Sequence, residues 1–166
     1  VFFIALRKDL AKPFLKQMNL FDILPELKLE FNEQEIIFNE IYEENGIGEQ
    51  RIPPSYGNMW DKKLFSENSM SETTIRIEGV EKFFSVKYIA KDKVLNTILG
   101  SEKNILHDIK RTLSKKELCL GGSYPLDYNF KTNKPGYLIG MSVPPVMTAN
   151  IATEIYSQWL SKLERS

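Results

Sequence analysis

Few side chains in this sequence could do covalent chemistry. There is one cysteine, Cys119, preceded by Leu118, and one histidine, His107. A single cysteine excludes an intramolecular disulfide and a paired C-x-x-C zinc site. A single histidine leaves no His-based metal cluster and no Ser–His pair with a spare base. Cys119, between Leu118 and Leu120, reads as a small packed residue. The carboxylates are no better placed for catalysis. Asp22, Glu26, Glu30, Glu33, Glu35, Glu40, Glu43, Glu44 and Glu49 face only Lys28, and they read as a solvated acidic face. What remains is binding chemistry. From residue 81 to 116 there are nine cations (Lys82, Lys87, Lys91, Lys93, Lys103, Lys110, Arg111, Lys115 and Lys116) and four anions (Glu81, Asp92, Glu102 and Asp108), a local balance of +5.

That local excess is hidden in the totals. The chain has 166 residues, 22 Lys plus Arg, 22 Asp plus Glu and a formal net charge of +0. A neutral chain taken whole argues against binding phosphates, which takes an excess of cations. The zero, however, is the sum of an acidic first third and a basic block. With 42% hydrophobic and 27% charged residues the composition is that of an ordinary globular protein. It excludes a disordered tail, a collagen-like fibre and a disulfide-stapled miniprotein. The length suits one domain, or one domain plus part of another. Apolar runs are too short to cross a bilayer and no secretory signal pattern is visible, so the expected compartment is the cytoplasm.

The elements that must position the basic block are partly visible. Val1-Phe2-Phe3-Ile4-Ala5-Leu6 predicts a strand buried on both faces, beginning at the first residue and without an initiating methionine. Such a start is expected of a piece of a longer protein, and its exposed edge would invite pairing into a dimer. Asn32 with Glu35 predicts a helix start, and Ile37, Phe38, Ile41 and Tyr42 give a helical stripe ending near Gly46. Residues 46–73 read as loop, pinned to the core by Trp60 and Phe65. Alternation in Thr74-Ile75-Arg76-Ile77 and again in Phe84-Ser85-Val86-Lys87-Tyr88, with Gly79 between, predicts strand, loop, strand. Ser114-Lys115-Lys116-Glu117 is a capping box opening a short helix that Gly121-Gly122 would end in a left-handed conformation. Pro144-Pro145 followed by Ile151, Ala152, Ile155, Trp159, Leu160 and Leu163 predicts a terminal amphipathic helix. The expected fold class is α+β.

Three segments, in order, resemble motifs of the DNA cytosine-5 methyltransferases. Val1 to Leu6 followed by Arg7-Lys8-Asp9-Leu10 looks like the strand and R-x-D-L tail closing that family's eighth motif. Arg111-Thr112-Leu113-Ser114-Lys115-Lys116-Glu117, continuing to Ser123-Tyr124-Pro125-Leu126-Asp127-Tyr128, is similar to the ninth. Ile139-Gly140-Met141-Ser142-Val143-Pro144-Pro145 with Asn150-Ile151-Ala152 resembles the tenth, with Met141 where the family has asparagine. About 100 residues separate the first two segments, the usual place of a target recognition domain. Leu95-Asn96-Thr97-Ile98-Leu99-Gly100-Ser101 looks like the short Thr-Ile stretch that marks that domain.

The resemblance implies an architecture and a set of roles. Residues 1–10 would end a strand of a Rossmann-like catalytic domain, 11–137 would form the target recognition domain, and 138–166 would return to the catalytic domain. Double-stranded DNA would be contacted by Thr97, Ile98, Gly100, Ser101, Lys103, Asn104 and Arg111. In that loop Lys can donate to guanine O6 and N7, Asn can pair with adenine, and Glu102 can accept from cytosine N4. Arg111 would also anchor the ninth motif. Gly140, Met141, Ser142 and Val143 would close one side of a pocket for S-adenosyl-L-methionine, held mainly by an N-terminal catalytic domain. The parent would be a bacterial enzyme, with or without a restriction partner, that methylates C5 of cytosine in a specific duplex sequence. This chain has no Pro-Cys nucleophile, no Glu-Asn-Val motif and no glycine-rich donor loop, so alone it is expected to be inactive. The alternatives are a non-catalytic DNA-binding module and a subunit of a split methyltransferase.

Overall fold

The computed structural model describes residues 3–17, 23–101, 103–131 and 134–163. Two short strands, β3 (Val86–Ile89) and β4 (Lys103–Leu106), run parallel with Val86 opposite Lys103 and Ile89 opposite Leu106. Both faces of the pair are covered, as parallel strands require. Alternation along the strands sends Val86, Tyr88 and Ile105 to one side. There they meet Met70 of α4 (Met70–Glu78), flanked by Tyr56, Met59 and Trp60 of α3 (Pro54–Asp61). Ile89 and Leu106 point the other way, into the larger cluster. This contains Phe38 of α2 (Phe38–Ile41), Leu113, Leu118 and Cys119 of α5 (Lys115–Gly121), Phe130, and Ile139 of α6 (Pro135–Gly140). The mixed helix-and-strand content is the expected α+β class.

Contacts divide the chain into two compact units, residues 34–145 and residues 1–33 together with 146–166. The contact boundaries fall at 33/34 and 145/146, whereas the resemblance implied 10/11 and 137/138. The second unit gathers α1 (Lys8–Ala11), the antiparallel pair β1 (Leu15–Gln17) and β2 (Ile23–Pro25), and the expected terminal helix. That helix is α7 (Pro145–Ile155), continued by a π-turn over Tyr156–Leu160 into α8 (Ser161–Leu163). Trp159 explains the longer N-terminal reach of this unit. It is buried, stacks on Phe14 at 6.1 Å and donates its indole N–H to the Glu26 carbonyl at 2.9 Å. Gln158 grips the backbone of Lys28 on both sides, accepting from its N–H at 3.0 Å and donating to its carbonyl at 2.7 Å.

Three sequence expectations give way here. Of the Val1–Leu6 strand, Val1 and Phe2 lie outside the described residues. Residues 3–7 form no strand, and Phe3 is 95% exposed. The edge expected to pair two copies thus has no strand among the described residues. The helix expected from Asn32 to Gly46 contracts to Phe38–Ile41, because residues 91–94 capture the backbone before it. Ile37 bridges Val94, and the N–H groups of Phe38 and Asn39 donate to the carbonyls of Lys93 and Lys91 at 2.8 Å. The 46–73 stretch is not all loop, since it holds α3 and the start of α4. Trp60 does anchor it, donating to the Leu106 carbonyl at 2.8 Å, but Phe65 is exposed, its ring edge-to-face with that of His107.

The strand expected at Thr74–Ile77 is helix α4. Its alternation misleads because the apolar residues, Ile75 and Ile77, are the exposed ones, while Thr73 and Thr74 are fully buried. Thr73 donates to Glu67 at 2.8 Å and shares a 3.1 Å hydrogen bond with the Tyr88 hydroxyl; Thr74 donates to the Ser71 carbonyl at 3.0 Å. The helix opens on Ser69, whose hydroxyl accepts from the Glu72 N–H at 3.3 Å, and closes on Gly79 in the left-handed region at φ 69°.

Glu67 holds this polar face together. Arg76 donates to it at 2.6 Å, the Leu64 N–H at 2.8 Å, and Thr73 as above. The Arg76 hydrogen bond leads in holding the Glu67 carboxyl down at about 2 against burial, from an ordinary value of 4.5. A carboxyl depressed by folding stabilises above its unfolded value and loses that contribution as it protonates. Urea midpoints measured against pH should therefore fall between pH 4.5 and about 2. In Arg76→Met the fall within that window should be shallower.

Candidate nucleic-acid interface

The site rests on one buried ion pair. Arg111 donates from Nη1 to Glu117 Oε2 at 2.7 Å and from Nη2 to Oε1 at 2.8 Å, a bidentate fork. The same guanidinium holds the carbonyls of Thr112 at 3.1 Å and Glu43 at 2.7 Å. The Glu117 side chain is fully buried, and it accepts in addition from the N–H groups of Glu43 at 3.0 Å and Ser114 at 2.8 Å. Burial opposes its ionisation, but the Arg111 fork and the two backbone donors outweigh that and hold its carboxyl below the usual range. The expected capping box is present in full, because the Ser114 hydroxyl accepts from the Glu117 N–H at 3.2 Å. Arg111 thus ties residues 112–117 to Glu43, with its donors turned inward. It is a correction to its expected second role, because a guanidinium spent on Glu117 and two carbonyls is not free for phosphate.

The glycines near this segment serve close packing. Gly122 has φ −90°, so α5 does not end in a left-handed glycine; the residue with φ 57° is Ser123. A Cβ on Gly121 would lie 2.3 Å from Leu95 Cδ2. The tightest approach is at Gly140, where a Cβ would sit 2.2 Å from the Gly100 nitrogen and 2.4 Å from the Leu99 carbonyl carbon. The turn at Gly140 is therefore pressed backbone to backbone against Leu99–Gly100.

That contact shapes one wall of a cleft of about 460 Å³ lined by Gly100, Ser101, Lys103, Arg51, Lys134 and Tyr137, with Glu49, Gln50, Pro135 and Gly136 completing it. Three of the residues expected to touch DNA, Gly100, Ser101 and Lys103, meet here. Among the described residues, none of Arg51, Lys103 and Lys134 has an ion-pair partner; Lys103 lies 5.1 Å from the Tyr56 ring centre. Three cations against Glu49 on a concave surface, with the half-exposed ring of Tyr137 beside them, can hold phosphate and stack a base. Sequence reasoning missed Arg51, Lys134 and Tyr137. Each stands outside the basic block, and only the tertiary fold brings them to Lys103.

The other expected contacts are placed differently. Residues 95–99 are not a strand; Thr97 is exposed, but Ile98 packs its side chain against the large core cluster. Asn104 lies within β4 on the same face as Leu106 and is 6% exposed, so it cannot read a groove edge from a protruding loop. Glu102 lies outside the described residues.

Gly140, Met141, Ser142 and Val143, expected to close one side of a methyl-donor pocket, lie in and just after the end of α6. The space beside Gly140 is filled by the Leu99–Gly100 backbone. Ser142 Oγ accepts from the Tyr124 hydroxyl at 2.7 Å and donates to the Ile139 carbonyl at 2.8 Å; Met141 and Val143 are exposed, and the Met141 thioether lies over Gly100. Cys119 is packed as expected, and burial pushes its thiol up, away from a nucleophilic thiolate. Among the described residues no group of three His, Cys, Asp or Glu could hold a metal ion, and no helix is long and apolar enough to cross a membrane.

Comparison with protein-family models, with characterised proteins and with solved structures found no match for this chain.

Removing one partner of a buried ion pair leaves the other charge uncompensated, at a cost of about 3–5 kcal/mol. Arg111→Met should lower the unfolding free energy by that order in urea denaturation. Adding Glu117→Leu to it should recover part of the loss, since the stranded carboxylate is then gone. A single variant as stable as the parent would show the pair to be dispensable.

Proposed function

We propose that this chain is the DNA-recognising part of a DNA cytosine-5 methyltransferase, and that the cleft between Arg51, Lys103 and Lys134 is where it meets the duplex. The observation that carries the reading is the convergence of these three cations, without ion-pair partners among the described residues, with Gly100 and Ser101, which the motif order had marked for recognition. Two further features support it. The buried Arg111–Glu117 pair joins the ninth-motif-like segment to residues 43–46, as an anchoring role for Arg111 requires. The first and last segments of the chain also gather into one unit apart from residues 34–145, as ends belonging to a Rossmann-like catalytic domain would.

In this reading the chain's own residues bind and orient and do not methylate. Lys103, Arg51 and Lys134 neutralise phosphates and set the register of the duplex, and Tyr137 offers a stacking face. Cytosine methylation from S-adenosyl-L-methionine belongs to the whole enzyme, with the nucleophile and the main part of the donor pocket on residues that this sequence does not contain, and Gly140, Met141, Ser142 and Val143 closing one side of that pocket. The proposed setting is the bacterial cytoplasm.

Each phosphate contact contributes about 0.9 to the slope of log affinity against log salt. Fluorescence anisotropy with a labelled duplex across a potassium chloride series should give a slope that falls by about 2–3 in the triple variant Arg51→Gln, Lys103→Gln, Lys134→Gln. The loss should be the same for unrelated duplex sequences. Lys82→Gln, which removes the partner of Glu78 on α4, should leave the slope unchanged. Equal slopes for parent and triple variant would refute the reading.

A further inference from the structure

Met141 is exposed to solvent and yet packs on the wall of the basic cleft. It follows the last turn of α6, where its N–H donates to the Tyr137 carbonyl at 3.0 Å. Side chains four positions apart at such a turn share one face. Both of these lie over Gly100. A Cβ built on Gly100 would stand 3.1 Å from Met141 Cγ, 3.3 Å from its Sδ and 3.4 Å from Tyr137 Cδ2. Gly100 and Tyr137 line the cleft beside Ser101 and Lys103. The thioether is thus an apolar cap on a residue of the cleft wall, while Met141 remains 68% exposed. The other described methionines are placed differently. Met70 is fully buried, Met59 packs at the edge of the smaller core cluster, and Met147 is 40% exposed and belongs to the other compact unit.

We propose that Met141 is a redox modification site: a peroxide converts its thioether to the sulfoxide, and the sulfoxide loosens the loop at Gly100 and weakens the cleft's hold on DNA. A sulfur lone pair attacks one peroxide oxygen, the O–O bond breaks and an S–O bond forms. The second oxygen leaves as hydroxide and takes a proton to become water, so sulfur loses the two electrons that the peroxide gains. The product is a polar, chiral group in place of an apolar one. On the Gly100 side there is no space for an added oxygen, because a single carbon placed there already stands at 3.1 and 3.3 Å from Cγ and Sδ. The oxidised side chain turns to water, and Gly100 keeps only Tyr137 above it. The backbone contact with Gly140 remains, so the loop gains freedom without unfolding. Lys103, three residues on, then loses its fixed approach to phosphate. This inference rests on the DNA-binding reading and adds a reversible control to it, since methionine sulfoxide reductases restore the thioether.

The test exposes the whole native chain to dilute hydrogen peroxide and follows its methionines by peptide mass spectrometry. Met141 should gain its oxygen faster than Met147, and Met70 should stay unmodified. Once Met141 is oxidised, hydrogen exchange should quicken at the Gly100 and Ser101 amides and not in α4. Fluorescence anisotropy should then show duplex affinity lowered by about three- to tenfold, the scale of a lost thioether contact. Methionine sulfoxide reductases acting on both epimers should restore it. Met141→Leu, which keeps an apolar cap without sulfur, should give one affinity before and after peroxide, whereas Met147→Leu should remain sensitive. Oxidation of Met147 ahead of Met141, unchanged affinity with Met141 fully oxidised, or a peroxide effect that persists in Met141→Leu overturns the inference while leaving duplex binding intact. Failure of the untreated chain to bind any duplex overturns the reading beneath it.

Discussion

The buried ion pair between Arg111 and Glu117 is the constraint on which the rest of the 34–145 unit depends. One guanidinium ties the first turn of α5 to the carbonyl of Glu43, and the Arg111 carbonyl accepts from the Leu106 N–H at the end of β4. Remove it and three segments lose their common reference: residues 43–46, the end of β4 and the start of α5. Burying two charges is expensive, and a well-packed apolar pair could be as stable. What the fork adds is direction. Its two nitrogens must meet two oxygens, so α5 is held in one rotation. The Cβ-free backbones of Gly121 and Gly122 then admit Leu95 and Ile139 in only one arrangement.

The cleft follows from that arrangement. Ile139 packs in the large cluster with Leu118, which places α6, and α6 ends in Gly140 against the backbone of Gly100. The loop before β4 is thus fixed from below by packing and from the side by a backbone contact, and Lys103 leaves the strand at a defined angle. Arg51 and Lys134 reach the same concavity from opposite directions in the chain. A neutral protein acquires a local positive surface because the fold sorts charges that the sequence only partly sorts.

Some of this was legible before any coordinates. The Ser114-x-x-Glu117 box and the terminal helix with Ile151 and Trp159 on its buried side both follow local rules. What failed did so for identifiable reasons. Alternation in Thr74–Ile77 suggested a strand because hydroxyls were counted as outward; here Glu67, Tyr88 and backbone carbonyls satisfy them inside the core. The start of α4 did carry a signal, Ser69-Met70-Ser71-Glu72, the same S-x-x-E spacing recognised at Ser114. Asn104 was assigned to a protruding loop, whereas strand pairing with Lys87 turns it inward. The partnership of Arg51, Lys103 and Lys134 spans 83 positions of sequence, from 51 to 134, and no window of local pattern could contain it.

Chemical-shift mapping tests the central claim most directly. Backbone amide spectra of the isotope-labelled chain would be recorded while an unlabelled duplex is titrated in at low salt. The account predicts that the perturbed amides cluster at Arg51, Gly100–Ser101, Lys103 and Lys134–Tyr137, and that those of Gly79–Lys82, beyond α4, stay in place. Perturbations centred on α4, or none at saturating duplex, would contradict it.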